Sequence, residues 1–420
     1  MRKIKDMPYH IGFRVKLYPS TQQKRLIAVN DGVKRAVYNH LTACGNERYL
    51  LSRTAAFVPA DRQRLDYLKS VTTITQAIKN ALPYLHGEAV DHQAIENAVR
   101  CYHDAWKKRK ERHTGIPVFK KKGPEQSYQT NAHYYKDKNG AVTSNIRFED
   151  DRHVTLPKLG RIRVGASPRL LKGLMGRTAD TRIGTVTISR DPVGEYWAPF
   201  SIGSEEPFRE VLPKTGGQKG IDLNLLALAN GSDGEVSPNM RFYQDAQTRL
   251  AKQQRKLSRM AEHAKREKRR LAGSGNYQEQ RVRVAYTHRK IQRQREDYLH
   301  NLSRHEIEDQ DFIAAEDLKV RNLIRNTRLS KSIADAGWRR FLTMLQYKGQ
   351  LYGKTVVLVP PQNTTQACSI CGHVMKGTER LTLSDREWEC PKCHTRHDRD
   401  TNAARNILKK GLQLMPQSPS

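Results

Sequence analysis

The sequence predicts a multidomain protein of the α+β and α/β classes. Short stretches with the two-residue alternation of strands lie on both sides of a long helical stretch in the N-terminal half. In the second half, apolar runs typical of buried strands alternate with helical patterns, and two Cys-x-x-Cys pairs follow near the C-terminus. A chain of 420 residues is also long enough for about two to four domains of the usual size.

The composition indicates a folded protein with a polyanionic partner. Hydrophobic residues make up 37% of the chain, and 75 Lys and Arg against 43 Asp and Glu leave a formal net charge of +32. No apolar run approaches the roughly 18 residues of a membrane span, and the N-terminus lacks the apolar region of a signal peptide. Cys44 and Cys101 stand alone, which fits a reducing compartment. We therefore expect a cytoplasmic protein that binds nucleic acid rather than a membrane.

The N-terminal half should begin with a strand and continue into helices. Phe13, Val15 and Leu17 alternate with basic residues, as in a half-buried strand. Ser20 and Gln23 have the form of a capping box, so a long helix should begin here. Apolar residues recur at helical spacing on two helices, at Leu26, Ile27, Val33, Val37 and Leu41 on the first and at Ile95, Val99, Tyr102 and Trp106 on the second.

Short apolar pairs bounded by Gly, Pro and Asp follow the segment Gly115-Ile-Pro-Val-Phe-Lys-Lys-Lys, and they predict the strands of a small β-barrel or sandwich. The pairs are Val154/Leu156, Ile162/Val164, Val186/Ile188 and Tyr196/Trp197. We expect the N-terminal strand to complete this sheet, with the helical region inserted into it.

The second half should contain apolar strands separated by long helices. A buried strand from Ile221 to Ala229 should enter a turn at Asn230, and strands Phe312–Glu316 and Thr355–Val359 should flank a helix through Trp338. Residues 241–300 carry 17 Lys and Arg against 6 acidic residues in two helical stretches. Such a hairpin is either a solvated surface or a face for phosphates, and the charge of the whole chain favours phosphates.

Four cysteines near the C-terminus predict a structural zinc site. Cys368, Cys371, Cys390 and Cys393 form two Cys-x-x-Cys pairs, and four thiolates in a reducing compartment select zinc in a closed tetrahedral site. A thioredoxin-type redox site uses one pair, not two. Because four cysteines already satisfy the metal, we expect the neighbouring His373, His394 and His397 to face solvent or nucleic acid.

Three acidic residues are candidates for catalysis. Asp222 interrupts one apolar strand, Glu316 ends another, and Asp400 stands where a helix should begin. A single acid in such a position is usually a turn or cap residue, and Asp398, two residues from Asp400, is a competing candidate for the third acid. If the three acids met, their oxygens could hold two Mg²⁺ ions of the kind that nucleases use. Asp222 and Glu316 are 94 residues apart (316 − 222), and Glu316 and Asp400 are 84 residues apart (400 − 316). The sequence alone therefore does not show whether the three acids lie close together in the folded protein.

The C-terminal region resembles the signature of the TnpB (OrfB-type) proteins of bacterial insertion sequences, which are RNA-guided DNA nucleases related to the type V CRISPR effectors. The resemblance is carried by Cys-Ser-Ile-Cys-Gly, by Leu-Thr-Leu-Ser-Asp-Arg-Glu-Trp-Glu-Cys-Pro-Lys-Cys and by His-Asp-Arg-Asp-Thr-Asn-Ala-Ala-Arg-Asn-Ile. It is dense over about 50 residues, and weaker features such as Phe-Arg-Val-Lys-Leu-Tyr-Pro extend it along nearly the whole chain.

The resemblance implies a fold and a set of site residues. Gly220-Ile-Asp-Leu matches the first RuvC motif, Ala315-Glu-Asp-Leu the second and Asp400-Thr-Asn-Ala-Ala the third. Asp222, Glu316 and Asp400 would then be the catalytic acids that bind Mg²⁺ in an RNase H-like RuvC domain. Cys368, Cys371, Cys390 and Cys393 would bind the single structural Zn²⁺ of an inserted zinc ribbon.

The same resemblance supplies an expected domain plan. A β-barrel (wedge) domain holds an inserted helical recognition lobe, and the nuclease domain follows. The expected segments are 1–18 for the first wedge strand, 19–113 for the helical recognition domain, 114–212 for the wedge, 213–362 for the nuclease domain with its basic hairpin 241–300, 363–396 for the zinc ribbon, 397–412 for the final nuclease motif, and 413–420 for a tail.

Two positions depart from the family pattern. Asn224 stands where the family usually has glycine after Asp-Leu, and His394 stands where a glycine commonly follows the last cysteine. The first could alter the turn beside Asp222, and the second could disturb the last zinc knuckle. Asp317, next to Glu316, should point to the opposite face of its strand.

The resemblance implies an RNA-guided DNA endonuclease that binds a transposon-derived guide RNA, recognises a short motif beside its double-stranded DNA target and cleaves both strands. We expect one protein monomer for each guide RNA. We also expect the protein to be associated with the nucleoid and functionally linked to a transposase. A miniature type V CRISPR effector and a non-enzymatic, guide-dependent DNA-binding regulator remain as alternatives. A transposase that performs strand transfer itself is disfavoured.

Overall fold

The structure is a computed structural model with two compact units, Met1–Phe208 and Arg209–Ser420. It describes residues 4–415 apart from positions 54, 55, 57, 74, 137, 139, 141, 166–172, 174–180 and 383. Each unit contains helices and a sheet of its own.

The first unit is built on a seven-stranded antiparallel sheet with the order β2-β8-β9-β1-β7-β6-β5. The strands of the unit are β1 Tyr9–Tyr18, β2 Gln126–Asn131, β3 Tyr134–Lys136, β4 Val142–Ser144, β5 Arg147–Asp150, β6 His153–Leu156, β7 Gly160–Gly165, β8 Thr181–Arg190 and β9 Tyr196–Ser204. All four predicted strands after Gly115 are confirmed. The sheet is open between β2 and β5 in the described part of the chain, so it forms a half-barrel.

The N-terminal strand joins this sheet, as predicted. β1 pairs with β9 from Tyr9 opposite Ser204 to Leu17 opposite Tyr196, and with β7 on its other side. Val15 and Leu17 are buried in the core beneath the sheet, which the two-residue alternation had indicated.

The long segment between β1 and β2 is helical. Its helices are α1 Thr21–Leu51, α2 Pro59–Thr73, α3 Thr75–Ala81 and α4 His92–Arg112. The predicted capping box is present, because the Ser20 side chain accepts a hydrogen bond from the Gln23 N–H and the Gln23 side chain bonds back to the Ser20 N–H. Val37 and Leu41 of α1 pack against Ile95 of α4 in a separate apolar core, as their spacing predicted.

The second unit contains a five-stranded sheet with the order β12-β11-β10-β13-β14. Its strands are β10 Gln218–Asp222, β11 Ala227–Gly231, β12 Val236–Pro238, β13 Phe312–Glu316 and β14 Thr355–Val359, and the small strands β15 Glu387–Glu389 and β16 Arg396–Asp398 pair separately. β10, β13 and β14 are parallel neighbours, whereas β10, β11 and β12 are antiparallel.

The prediction of one strand from Ile221 to Ala229 is wrong. The chain turns between Asp222 and Ala227 and folds back, so that Ile221 pairs with Gly231 and Asp222 with Asn230. The Asn224 side chain causes this turn, because its Oδ1 accepts hydrogen bonds from two backbone N–H groups that follow it.

Helices surround this sheet. They are α5 Phe242–Arg266, α6 Gly275–Asp309, α7 Val320–Leu323, α8 Ser330–Ala336, α9 Trp338–Tyr352 and α10 Arg399–Gln413. The basic hairpin of α5 and α6 is present but extends to Asp309 instead of ending at residue 300. Residues 416–420 of the predicted tail lie outside the described residues.

Helix α10 packs closely on the sheet through two glycines. A Cβ at Gly220 of β10 would collide with the backbone carbonyl of Ala404 and lie 2.8 Å from the Leu408 nitrogen. A Cβ at Gly411 of α10 would collide with Ala314 of β13. The absence of these two side chains therefore lets the backbone of α10 rest directly on the two central strands.

Lys219, on the opposite face of β10, is buried and lies among three acids, of which Glu306 is buried and the other two are partly exposed. Lys219 is 2% exposed, and its Nζ lies 3.1 Å from Asp233, 2.5 Å from Glu235 and 3.2 Å from Glu306. Successive residues of a strand point to opposite faces, so this cluster ties β10 to α6 while Gly220 faces α10. Among the described helices, none is both long and apolar enough to cross a membrane.

Candidate functional site

Asp222 and Glu316 lie at the same edge of the second sheet. Asp222 is the last residue of β10 and Glu316 the last of β13. The two strands are parallel and in register, with Ile221 opposite Ala315, so both carboxylates leave the sheet at its carboxyl-terminal edge. Asp222 is 8% exposed and Glu316 is 7% exposed.

Asp400 comes to this edge from helix α10. It lies in the first turn of the helix, and Asp398 is the N-cap whose side chain accepts a hydrogen bond of 2.8 Å from the Thr401 N–H. The competition between the two acids is therefore resolved by geometry. Asp398 caps the helix, and Asp400 is available to the site.

Two of the acids have polar partners that fix their positions. The Thr364 hydroxyl donates to Glu316 Oε1. Asp400 Oδ2 accepts from Asn224 Nδ2 at 3.1 Å and from Arg386 Nη1 at 3.2 Å, and its Oδ1 accepts from Nε and Nη2 of Arg399, both at 3.2 Å. The sequence did not identify these partners, although Arg386 and Arg399 lie in the motifs that carried the resemblance and Asn224 directly follows one of them.

The acids perturb one another electrostatically. Burial and the negative charges of Glu316 and Asp400 raise the pKa of Asp222 to about 7, although a hydrogen bond from Asn224 and the Arg399 charge oppose the rise. Burial also raises the pKa of Glu316, against the hydrogen bond from Thr364 and the charge of Lys410. A buried carboxyl with a raised pKa beside other acids is typical of a functional site.

The three acids do not form a closed ligand set. Within the described ranges, only the four cysteines have ligand atoms that all lie within 4.8 Å of one another. Asp317 is not part of the site, because its side chain is 52% exposed and lies 3.8 Å from Arg339. Hard carboxylate oxygens are nevertheless the donor set that suits Mg²⁺, so Asp222, Glu316 and Asp400 fit such an ion chemically.

The side chains of the four predicted cysteines form one cluster. Cys368 lies 3.6 Å from Cys393 and Cys371 lies 3.6 Å from Cys390, measured between sulfur atoms. Four sulfurs at about 2.3 Å from a tetrahedral zinc are about 3.8 Å apart. The cluster therefore fits Zn²⁺ and leaves no open position for a substrate.

The two halves of the cluster have the same backbone geometry. The Gly372 N–H donates to the Cys368 carbonyl at 3.0 Å, and the His394 N–H donates to the Cys390 carbonyl at 2.8 Å. Gly372 has φ +75° and His394 has φ +54°. A position that needs positive φ favours glycine, which explains the family's usual residue. His394 adopts the same conformation, so the expected disturbance of the second knuckle does not occur.

The expectation that the three neighbouring histidines face outward is wrong for His397. Its side chain is buried, its Nε2 lies 3.2 Å from Cys368 Sγ, and its ring lies 4.6 Å from that of Trp388. The Trp388–His397 pair faces the sulfurs because β15 and β16 align these two residues. His394 is exposed and His373 partly exposed, and they lie near Glu389 and Glu379 respectively.

The cysteine cluster is joined to the helix that carries Asp400. Asn402 Oδ1 accepts from the Ser369 N–H at 2.8 Å, and Asn402 Nδ2 donates to the Ala367 carbonyl at 2.8 Å. Asn406 Nδ2 donates to the carbonyls of Thr364 and Ala367. These contacts bind the first knuckle to α10, and the same segment supplies Thr364 to Glu316.

Three parts of the chain match family models. Residues 7–50 match one described as "Helix-turn-helix domain", residues 201–327 one described as "Probable transposase", and residues 338–407 one described as "Cas12f1-like, TNB domain". In this protein, residues 7–50 form β1 and the single continuous helix α1, not two helices joined by a turn.

Similar proteins cover nearly the whole chain. A Streptomyces pristinaespiralis protein named "Putative RNA-guided DNA endonuclease" is 31% identical over 404 residues, which span 95% of this chain and 89% of the relative. The Escherichia coli K12 protein of the same description, InsQ, is 28% identical over 96% of this chain and 92% of the relative. A solved structure of the mini RNA-guided endonuclease CRISPR-Cas_phi3 has a similar fold, with a TM-score of 0.51, 10% identity, and coverage of 99% of this chain and 94% of that one. From this likeness along its length, the chain belongs to the TnpB (OrfB-type) family of insertion-sequence proteins.

Proposed function

We propose that this protein is an RNA-guided DNA endonuclease. It binds a transposon-derived guide RNA, recognises a short motif beside the target and cleaves both DNA strands with one RuvC-like site. The observation that carries the proposal is the group of three buried or half-buried acids at one sheet edge, in a chain whose net charge is +32. Its similar relatives carry the name of this activity.

The sheet supports an RNase H-like nuclease domain. Three antiparallel strands followed by two parallel ones, in the order β12-β11-β10-β13-β14, are the arrangement expected of that fold. Asp222 and Glu316 leave its central strands, and Asp400 enters from α10. These three acids would hold Mg²⁺, which when bound activates water and stabilises the charge on the phosphate. Arg386 and Arg399 hold the Asp400 carboxylate in place.

The basic surfaces would bind the nucleic acids. A heteroduplex of about 20 base pairs carries roughly 40 phosphates, and a net charge of +32 is of that scale. The candidates are the basic end of α4, the hairpin of α5 and α6, and the segment Lys120-Lys121-Lys122. Base pairing with the guide would read the target, while the protein contacts backbone phosphates.

The lysine segment is held rigidly on the first unit. Asn39 of α1 accepts from the Lys120 N–H at 2.7 Å and donates to the Lys120 carbonyl at 2.9 Å. Lys120 Nζ lies 3.7 Å from the centre of the Tyr38 ring. The preceding Val118 and Phe119 are 72% and 55% exposed. A fixed backbone that presents apolar side chains beside lysines suits contact with bases and phosphates together.

The zinc would be structural, one ion per chain. The protein would act as a monomer on each guide in the prokaryotic cytoplasm, associated with the nucleoid and functionally linked to a transposase. The monomeric state, the location and the link to a transposase follow from the family resemblance rather than from the geometry of the site.

The test is cleavage by protein purified together with RNA from its native locus. A plasmid with the sequence matched by the bound RNA and a randomised flank is incubated with Mg²⁺. We expect double-strand cleavage, and a loss of roughly 1,000-fold or more for Glu316→Gln. Asp317→Asn is the matched control, since it removes the exposed neighbouring acid, and it should cleave at nearly the normal rate.

Binding of the target should be measured beside cleavage. It should survive Glu316→Gln and weaken steeply with salt, because each neutralised phosphate releases counterions. Target binding without any Mg²⁺-dependent cleavage would instead indicate a guide-dependent regulator. Cleavage that persists in Glu316→Gln would reject the proposed site.

A further inference from the structure

Asn224 stands in the turn between β10 and β11, at a position where the family usually has glycine. Its Oδ1 accepts the N–H of Leu226 at 3.0 Å and of Ala227 at 2.9 Å. Because only the amide oxygen can accept, these two bonds fix the orientation of the side chain. The Nδ2 donor must then point away from the turn.

That donor points at the third acid. Asn224 Nδ2 lies 3.1 Å from Asp400 Oδ2. It therefore ties Asp400 to the turn that begins directly after Asp222, although Asp222 and Asp400 lie 178 residues apart (400 − 222) in the sequence. A glycine at this position would leave this bond unmade.

Asn224 and two arginines all donate hydrogen bonds to the Asp400 carboxylate. Arg399 binds Oδ1 of Asp400, and Arg386 shares Oδ2 with Asn224. The arginine bonds alone would leave the carboxylate without a tie to the turn that follows Asp222. The neutral donor supplies that tie without adding a positive charge that would compete with a cation. Asn224 itself cannot ligate a metal here, since its oxygen is occupied and its nitrogen has no free lone pair.

We propose that Asn224 is a positioning residue that holds the Asp400 carboxylate at the turn next to Asp222, so that the two acids are arranged before a metal ion binds. This inference rests on the proposed function for its effect on cleavage, but its effect on the metal-free protein is independent of that function. Partners of this kind typically change metal affinity or activity by roughly 10- to 100-fold when they are removed.

Two substitutions distinguish the role of Asn224 in the turn from its bond to Asp400. Asn224→Asp keeps an oxygen for the two turn N–H groups but replaces the donor with a fourth negative charge. Asn224→Gly removes both functions. Asn239→Asp is the matched control, because Asn239 donates to the Leu225 carbonyl of the same loop at 3.1 Å and has no bond to the three acids among its described contacts.

The first measurement is the thermal midpoint in EDTA and in Mg²⁺. We expect Asn224→Asp to lower the metal-free midpoint and to show a larger rise on adding Mg²⁺ than the unaltered protein does, because the cation relieves the added repulsion. Asn239→Asp should lower both midpoints equally. If Mg²⁺ raises the thermal midpoints of Asn224→Asp and Asn239→Asp by the same amount, the proposed role of Asn224 in holding Asp400 is rejected.

The second measurement is single-turnover cleavage by the complete RNA complex. Asn224→Gly should need more Mg²⁺ for half-maximal rate and cleave roughly 10- to 100-fold more slowly at low Mg²⁺, with target binding unchanged. A normal Mg²⁺ dependence in Asn224→Gly would overturn the inference. If the unaltered protein cleaves no target, the proposed function fails, and the thermal measurement still decides the role of Asn224.

Discussion

The second unit contains two candidate metal sites that are built in opposite ways. The four cysteines come from a stretch of 26 residues (368–393), and all their sulfurs lie within 4.8 Å of one another. The three acids come from three distant segments and are separated more widely. The cysteines are held by repeated backbone hydrogen bonds between near neighbours, such as that from His394 to Cys390. The acids are held by side chains from elsewhere in the unit.

The difference follows from charge. Most cysteine thiols are neutral near pH 7 until a metal binds, so four of them gather at a lower electrostatic cost than carboxylates do. Three carboxylates repel one another, and the burial of Asp222 adds to this cost. The acid site therefore depends on packing that forces the acids together and on donors, such as Arg399 and Asn224, that reduce the repulsion.

The largest effect should come from breaking the cysteine cluster. Cys390→Ser should reduce bound zinc from about one per chain to almost none and unfold the region around it, since structural zinc contributes on the order of 10 kcal/mol of folding free energy. Metal analysis and thermal unfolding measure the two effects. Cys44→Ser, a change at an isolated cysteine, should retain the zinc. Full zinc content in Cys390→Ser would contradict the assignment.

The next largest effect should come from a substitution that displaces Asp400 from the other two acids without changing any of the three. Gly220→Ala places a Cβ against the backbone of α10, which carries Asp400, and should destabilise the second unit by about 3 kcal/mol or more. Denaturant unfolding measures the loss. Gly12→Ala, in a strand with nothing within 4 Å of the added Cβ, is the control and should change stability little. Equal effects of the two variants would mean that α10 does not pack on β10 so closely.

The smallest of the three effects should be a gain of stability. Asp222 has a folded pKa raised from 3.8 to about 7, so its contribution is fully present below pH 4 and is lost as the pH rises through 7. Asp222→Asn stays neutral at every pH. In EDTA it should therefore be more stable than the unaltered protein at pH 8, by on the order of a few kcal/mol, and equally stable near pH 4.

Asp233→Asn is the control of opposite sign. Burial raises the pKa of Asp233, but hydrogen bonds from the Glu235 backbone and from Lys219 lower it overall. This variant should therefore lose stability at high pH rather than gain it. Thermal unfolding of both variants across the pH range checks the prediction. Destabilisation of the metal-free protein at pH 8 by Asp222→Asn would mean that the three acids do not repel one another.

Local patterns allowed much of the fold to be predicted. The strand at Val15, the capping box at Ser20 and the strand that ends at Glu316 depend on residues within a few positions of one another, so periodicity and spacing indicate them. The break at Asn224 was missed because the apolar run around it resembles one continuous buried strand. The burial of His397 was missed because it depends on the pairing of β16 with β15 rather than on the distance of His397 from the cysteines in the sequence.

The sequence by itself determined the net charge, most of the helices and strands, and the four cysteines of the cluster, because these depend on composition or on neighbours along the chain. Only the tertiary structure decided that Asp400 approaches Asp222 and Glu316 while Asp398 caps α10. It also decided that Asn224 holds Asp400. The contacts of Asp400 link segments that are tens to hundreds of residues apart, and they form because Gly220 and Gly411 let α10 lie directly on the strands. No local pattern in the sequence contains that packing.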